Sequence, residues 1–239
     1  MQKPVLIILA GRAYPEISGA IGDYDDWIAA GLGDALPHIV VDAREQPELP
    51  HPSDLAGVVV SGSHAMVTDR EDWSERLADW LKSSAEADLP ILGICYGHQL
   101  LAHAFGGTVG NRQTGVEIGT RAIALTGQAD DDELFKGLPA EFPAQLVHYQ
   151  SVLGLPDGST VLACSDEEAH QAFRIGKRAW GVQFHPEFSA EAMRGYIRQL
   201  RDRLEAPDAL LDDVSDTAVA RSILQRFSAL CAVSRPKVG

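Results

Sequence analysis

A cysteine between two glycines is the feature of this sequence with the clearest chemical meaning. Cys95 follows an apolar run, residues 89–94, that reads as a buried strand, and precedes residues 97–105, which read as a helix. Gly93 and Gly97 permit a tight turn between the two elements. Such an elbow holds a nucleophile exposed at a helix N-terminus, where the partial positive charge favours thiolate over thiol. The pattern therefore predicts a reactive Cys95.

A histidine and a glutamate far downstream supply the base that a thiol nucleophile needs. The apolar run 180–184 leads into His185-Pro186-Glu187. His185 can accept and return a proton near neutral pH, and Glu187 is the candidate to orient it. Two residues apart on an extended segment, the two side chains point the same way, and Pro186 ends the strand there. These residues predict a nucleophile, a base and an orienting carboxylate.

The two motifs together closely resemble the class I glutamine amidotransferases. The resemblance rests on residues 93–99 (Gly-Ile-Cys-Tyr-Gly-His-Gln) and 181–187 (Gly-Val-Gln-Phe-His-Pro-Glu), and it covers about residues 4–200. It implies a triad of Cys95, His185 and Glu187. It also implies the reaction: the thiolate attacks the side-chain amide of glutamine, a γ-glutamyl thioester forms, ammonia leaves, and water releases glutamate.

The resemblance also implies an oxyanion hole. Residues 57–63 resemble the strand and glycine turn that carry one donor, which places the backbone N–H of Gly62 in that role. The second donor would be the N–H of Tyr96. The family usually has Gly-Gly-Pro at this turn, whereas this chain has Ser61-Gly62-Ser63.

Substrate-binding residues follow from the same resemblance. Gln99 resembles the family glutamine that helps to hold the substrate. Residues 148–152 resemble the segment whose backbone, at Ser151 and Val152, grips the amino-acid end of the substrate.

Purely structural interpretations of these residues stay open. A cysteine is often inert and buried, a strand-end histidine is often only hydrogen-bonded, and a turn glycine often has no further role. Three histidines could indicate a metal site, but their spacing matches no helical pair of ligands, so we expect no metal. These are His64, His98 and His103. Cys164 and Cys231, which lack an elbow and a nearby base, are expected to be structural.

The alternation of apolar runs predicts an α/β fold with three layers, a mainly parallel central sheet with helices on both faces, as in flavodoxin-like proteins. The nucleophile would then lie at the C-terminal end of a strand, where such sheets bind ligands. Predicted strands include 5–9, 38–42, 57–61, 117–125, 144–149, 160–164, 171–175 and 180–184, and predicted helices include 23–32, 71–87 and 189–204, the last with Ser189 as N-cap.

The C-terminal part lies outside the resemblance. We predict an amidotransferase domain over residues 1–205 and an appended segment over 206–239. Residues 206–215 are acidic and read as a connector, and residues 216–233 read as an amphipathic helix. The helix is expected to pack on its own domain, and the alternative is that it docks on another protein chain.

Composition narrows the setting. The 239 residues carry a net charge of −14, which argues against nonspecific binding of nucleic acid. Three cysteines are too few for a disulfide framework, and a reducing cytoplasm suits a thiolate enzyme. The first apolar run is too short for a signal peptide or a membrane span. A Gly-x-x-x-x-Gly-Lys-Ser/Thr loop is missing from the sequence, and we expect no cofactor.

Three functional hypotheses remain at this point. The first is a glutaminase that passes ammonia to an acceptor on a synthase or synthetase partner, as the resemblance implies for family members. Short segments, Gly22-Asp23-Tyr24 and Glu117-Ile118-Gly119, resemble the amidotransferase half of GMP synthase in particular. The second is a self-sufficient hydrolase of γ-glutamyl peptides or amines. The third is a catalytically silent binding module.

Overall fold

A computed structural model describes residues 2–45 and 48–233 of the chain. The strands are β1 Val5–Leu9, β2 His38–Asp42, β3 Gly57–Val60, β4 Ile91–Ile94, β5 Thr108–Asn111, β6 Glu117–Leu125, β7 Glu141–His148, β8 Gln150–Gly154, β9 Ser159–Cys164, β10 Ala172–Ile175 and β11 Ala179–Val182. The α-helices are α1 Pro15–Ile21, α2 Tyr24–Leu32, α3 Asp72–Glu86, α4 Tyr96–Ala104, α5 Ala190–Gln199, α6 Pro207–Asp213 and α7 Ala218–Ala232.

Nine strands form one central sheet, in the order β2-β1-β3-β4-β11-β10-β9-β6-β7. Neighbours run parallel from β2 to β11 and antiparallel from β11 to β7. The predicted α/β fold with a mainly parallel sheet is confirmed, and the antiparallel strands extend that sheet on one side. The two remaining strands, β5 and β8, pair with each other in a small separate sheet.

Two hydrophobic clusters cover the two faces of the sheet. Along β1, alternate residues enter opposite clusters: Val5, Ile7 and Leu9 one of them, Leu6 and Ile8 the other. A strand buried on both faces needs a continuous apolar run, which is what this segment has. Helices α2, α5 and α7 contribute to the first cluster, and α3 and α4 to the second. This gives the three layers.

The prediction of an irregular connector over residues 206–215 is wrong. Pro207 opens helix α6, and Leu210 and Leu211 pack against the core cluster. Proline is favoured in the first turn of a helix, because its missing N–H is not needed there. The acidic composition of the segment conceals this short apolar face.

Helix α7 packs into the core beside α2. Ile223, Leu224 and Phe227 are fully buried. A side chain at Gly31 of α2 would collide with Leu224, so the absence of a Cβ there allows the two helices to approach. The boundary at residue 205 stays a prediction, and residues 234–239 lie outside the described residues. Within the described part of the chain, no helix is long and apolar enough to cross a membrane.

Candidate active site

Cys95 stands between the end of β4 and the start of α4, as its flanking glycines predict. Its backbone has φ 50° and ψ −96°, in a region that costs a non-glycine residue about 1–3 kcal/mol. A side chain at Gly93 would collide with the backbone of Gly97, and one at Gly97 would come within 2.6 Å of the Val60 carbonyl oxygen. The elbow therefore requires both glycines.

The elbow is attached to the neighbouring strand that leads to the second motif. The backbone N–H of Cys95 donates a 2.8 Å hydrogen bond to the carbonyl of Val182, the last residue of β11. The cysteine sulfur lies 3.7 Å from the carbonyl oxygen of Val147 on β7. The site thus lies at the carboxyl ends of parallel strands, and the antiparallel extension encloses it from the other side.

His185 and Glu187 form a buried hydrogen-bonded pair. His185 Nδ1 lies 2.7 Å from Glu187 Oε1, and both residues are about 1% exposed. The expectation that they lie on an extended segment is wrong: β11 ends at Val182, and Pro186 and Glu187 form a turn. Since proline fixes φ and cannot continue the ladder, the chain bends there and brings the two side chains together.

The second ring nitrogen of His185 is left for chemistry. His185 Nε2 is buried and has no hydrogen-bond partner among residues 2–45 and 48–233. Burial lowers the pKa of His185, but the negative charges of Glu187 and Cys95 outweigh burial and raise this pKa to about 10. His185 is therefore an imidazolium at neutral pH, and Cys95 is one of the groups that keep it so.

Aromatic rings fix the plane of the imidazole. The ring of Phe188 stacks on His185 with centroids 4.1 Å apart, and Tyr24 lies nearly parallel to it at 6.4 Å. The hydroxyl of Tyr24 is 2.7 Å from that of Tyr196, which holds the tyrosine ring in place. The sequence analysis assigns no role to Phe188, although its position next to Glu187 is a signal that a strand-end motif offers.

Gly62 lies directly against the base. A Cβ at Gly62 would be 2.9 Å from His185 Cε1. The serines on either side anchor the loop to the end of β1: Ala10 N–H donates to Ser61 Oγ at 3.0 Å, and Ser63 Oγ donates to the Ala10 carbonyl at 2.8 Å. Two serines thus hold the loop in this chain. The role of Gly62 and Tyr96 as oxyanion donors stays a prediction.

Residues 150–152, which we call the substrate segment, form the start of β8. Gln99 lies in α4, about one helical turn after Cys95, and is buried against this segment. Its Nε2 donates to the Gln150 carbonyl at 2.7 Å and to Gln183 Oε1 at 3.0 Å. The side-chain oxygen of Ser151 is buried without a partner among the described residues, and Val152 is buried too. The structure therefore brings Gln99 and the segment together, and their contact with a substrate stays a prediction.

The three histidines that could have indicated a metal site lie in separate environments. His103 pairs with Glu75 at 2.9 Å, and His64 lies 3.3 Å from the Tyr196 hydroxyl. His98 is buried beside Phe173, and burial lowers its pKa to about 3. Among the described residues, no group of three or more His, Cys, Asp or Glu side chains is arranged to hold a metal ion.

Comparison with known protein families decides the relationship. Residues 35–200 match the model of the family described as glutamine amidotransferase class-I. The chain belongs to this family.

Two relatives with different names resemble this amidotransferase-family chain. Gamma-glutamyl peptidase 5 of Arabidopsis thaliana is 31% identical over 224 residues, which is 92% of this chain and 88% of the plant protein. A subunit of the glutamine-hydrolyzing GMP synthase of Archaeoglobus fulgidus is 38% identical over 152 residues, which is 60% of this chain and 75% of the archaeal protein.

Solved structures share the fold of this family member. A glutamine amidotransferase from Thermotoga maritima superposes with a TM-score of 0.76 at 22% identity, covering 98% of this chain and 100% of the other. A glutamine amidotransferase from Methylobacillus flagellatus superposes with a TM-score of 0.77 at 23% identity, covering 99% and 97%. At this level of identity the structural likeness establishes the fold.

Proposed function

We propose that this chain hydrolyses the side-chain amide of L-glutamine, or of a related γ-glutamyl small molecule, with Cys95 as nucleophile. The observation that supports this most strongly is the pairing of a cysteine on a strained elbow with a buried histidine whose pKa is raised to about 10. Because His185 is already protonated, Cys95 acts as a thiolate, and no proton has to move before the attack.

The reaction balances with the residues at the site. The Cys95 sulfur attacks the amide carbon, and the oxyanion forms beside the backbone N–H groups of Gly62 and Tyr96. As the C–N bond breaks, His185 gives its proton to the leaving nitrogen, which departs as ammonia and leaves a γ-glutamyl thioester. Neutral His185 then takes a proton from water, the hydroxide attacks the thioester, and glutamate leaves the regenerated thiolate. Glu187 holds the imidazole in orientation throughout.

The substrate segment binds the other end of the substrate in this proposal. Ser151 and Val152 lie in β8, and Gln99 fixes the preceding carbonyl from the helix that begins directly after Cys95. The same helix thus connects the nucleophile to the binding segment, and this connection sets the distance between the reacting carbon and the amino-acid end.

The fate of the nitrogen separates two versions of the proposal. The relative named for GMP synthase supports a version in which ammonia passes to a synthase partner. The relative named gamma-glutamyl peptidase matches nearly the full length of this chain, which supports the version in which a γ-glutamyl peptide or amine is hydrolysed without a partner. The intact Cys95, His185 and Glu187 weigh against a silent binding module. All three cysteines are free thiols, as suits the reducing cytoplasm that we propose for this chain.

The test is release of glutamate and ammonia from L-glutamine by the purified chain, beside release from γ-glutamyl peptides. Loss of both in Cys95→Ala, with the fold retained by circular dichroism, supports the proposal. Turnover of γ-glutamyl peptides but not of glutamine selects the partner-free version. Turnover that survives in Cys95→Ala contradicts the assignment of the nucleophile.

A further inference from the structure

A second group of buried charges lies beside the substrate segment, and the reaction proposed above does not use it. We call it the Arg112 cluster; its side chains are 4%, 2%, 1% and 5% exposed, in that order, for Arg112, Glu117, His148 and Glu168. Arg112 lies 3.2 Å from Glu117 and 3.4 Å from Glu168. Buried charges are expensive unless they are paired, so the protonation of each member is constrained by the others.

Hydrogen bonding determines the protonation of His148. Its Nδ1 lies 2.8 Å from the backbone carbonyl of Gln150, which can only accept, so this nitrogen carries a proton. Its Nε2 lies 2.9 Å from Glu117 Oε2. The same oxygen faces the guanidinium of Arg112, which is always charged, and this makes Glu117 a carboxylate. The second nitrogen must then donate as well.

The charge count gives the same answer. Glu117 and Glu168 contribute two buried negative charges, and Arg112 contributes one positive charge. The cluster is neutral only if His148 is an imidazolium. Glu167, which also pairs with Arg112, has a side chain 59% exposed to water and does not need a buried partner. His98 also faces His148, but its lowered pKa makes it neutral at pH 7.

The cluster holds both carbonyls that flank Ser151. His148 donates to the Gln150 carbonyl, as described. His170 Nδ1 lies 2.7 Å from the Val152 carbonyl and donates to it, and the backbone N–H of His170 donates to Glu168 at 3.1 Å. Two histidines linked to Arg112 through two glutamates therefore fix the backbone on either side of the residue proposed to bind substrate.

We propose that His148 is a positioning residue: as an imidazolium of the Arg112 cluster, it holds the substrate segment in the conformation that binds the γ-glutamyl group. The protonation state follows from the contacts alone, whereas the effect on the substrate rests on the function proposed above. His148 touches no reacting atom, so its loss should weaken binding of the substrate far more than it slows the chemical step.

Steady-state kinetics with L-glutamine test the positioning role. In His148→Gln, KM should rise about 10- to 100-fold, the cost of one charge-assisted hydrogen bond, while kcat changes little. The matched control is His103→Gln, which removes the histidine of another His–Glu pair of the same 2.9 Å length but outside the cluster; its KM should stay at the wild-type value. An unchanged KM in a folded His148→Gln protein, or a loss confined to kcat, overturns the role.

Nitrogen-15 NMR of histidine-labelled wild-type protein at pH 7 tests the charge directly and needs no turnover. The signals assigned to His148 by their loss in His148→Gln should show both ring nitrogens protonated. In Glu117→Gln, which keeps a hydrogen-bond acceptor but removes the charge, His148 should carry one proton only. A neutral His148 in the wild-type spectrum overturns the inference even if glutamine is hydrolysed. Absence of hydrolysis by a wild-type chain with an imidazolium at His148 contradicts the proposed function instead.

Discussion

Two buried histidine–glutamate pairs lie close to each other in this molecule and differ in one nitrogen. In the pair of His185 and Glu187 the separation is 2.7 Å, and in the pair of His148 and Glu117 it is 2.9 Å. His148 bonds with both ring nitrogens, whereas Nε2 of His185 has no bonded partner within the described residues. A histidine with both nitrogens occupied can only hold structure. A histidine with one nitrogen open beside a thiol can exchange protons.

The largest effect that separates the two pairs is expected on kcat. His185→Gln removes the group positioned to protonate the leaving nitrogen, so kcat should fall by roughly 10²–10⁴-fold or more. The measurement is the kcat for glutamate release, compared with that of His148→Gln, in which kcat should be nearly unchanged. Equal losses of kcat in the two variants would remove the distinction between the pairs.

Replacing the carboxylate of the catalytic pair should have a smaller effect. In Glu187→Gln the amide can still accept from Nδ1, but the charge that raises the pKa of His185 is lost. We expect kcat to fall by about 10²-fold, the low end of the range for general acid–base catalysis. Steady-state kinetics beside His185→Gln check the order. A loss as large as that of His185→Gln would show that the charge of Glu187 matters as much as the base itself.

A methyl group at Gly62 should disturb His185 and leave His148 unaffected. The added carbon would lie 2.9 Å from His185 Cε1, so the ring must shift by a few tenths of an ångström. The expected result is a fall in kcat of roughly 10-fold, since small displacements of positioned groups are costly in catalysis. Gly19→Ala, in a helix with open space at the Cβ position, is the control and should behave as wild type. A fully active Gly62→Ala protein would show that the contact has no catalytic weight.

The pH response of His185 is the gentlest test of the comparison. Since its pKa is raised from 6.5 to about 10, the proton is kept at neutral pH and lost as the pH rises through about 10. The stability that this charged pair contributes is complete below about pH 6.5 and disappears over the same rise. NMR titration of the His185 ring should give a midpoint near 10, and a lower midpoint in Glu187→Gln. A wild-type midpoint near 6.5 would contradict the ion pair with Cys95.

The same contrast explains what could be predicted from sequence. His185 and Glu187 lie two residues apart and Cys95 lies between two glycines, so local spacing is enough to propose them. Glu117 and His148 are 31 residues apart, and Arg112 and Glu168 are 56 residues apart. No local pattern marks residues that meet only when distant strands pair.

Secondary structure shows the same limit. The buried parallel strands, such as β1, have continuous apolar runs and are predicted within a few residues. Strand β5 is partly or fully exposed along its length and is stabilised by pairing with β8, so periodicity predicts neither of them. The predicted strand 144–149 runs instead over Glu141–His148, and the chain then turns at Tyr149 into the substrate segment. The N-cap at Ser189, a local feature, is confirmed by its bond to Ala192 N–H at 3.1 Å.

The central claim is that Cys95 carries the γ-glutamyl group during turnover. The most direct measurement is the mass of the intact protein after acid quenching of its reaction with L-glutamine, followed by peptide mapping. The account predicts a protein heavier by one glutamyl group, with the addition on the peptide that contains Cys95 and none in Cys95→Ala. Glutamate release without such an adduct at Cys95, or with the adduct on Cys164 or Cys231, would contradict it.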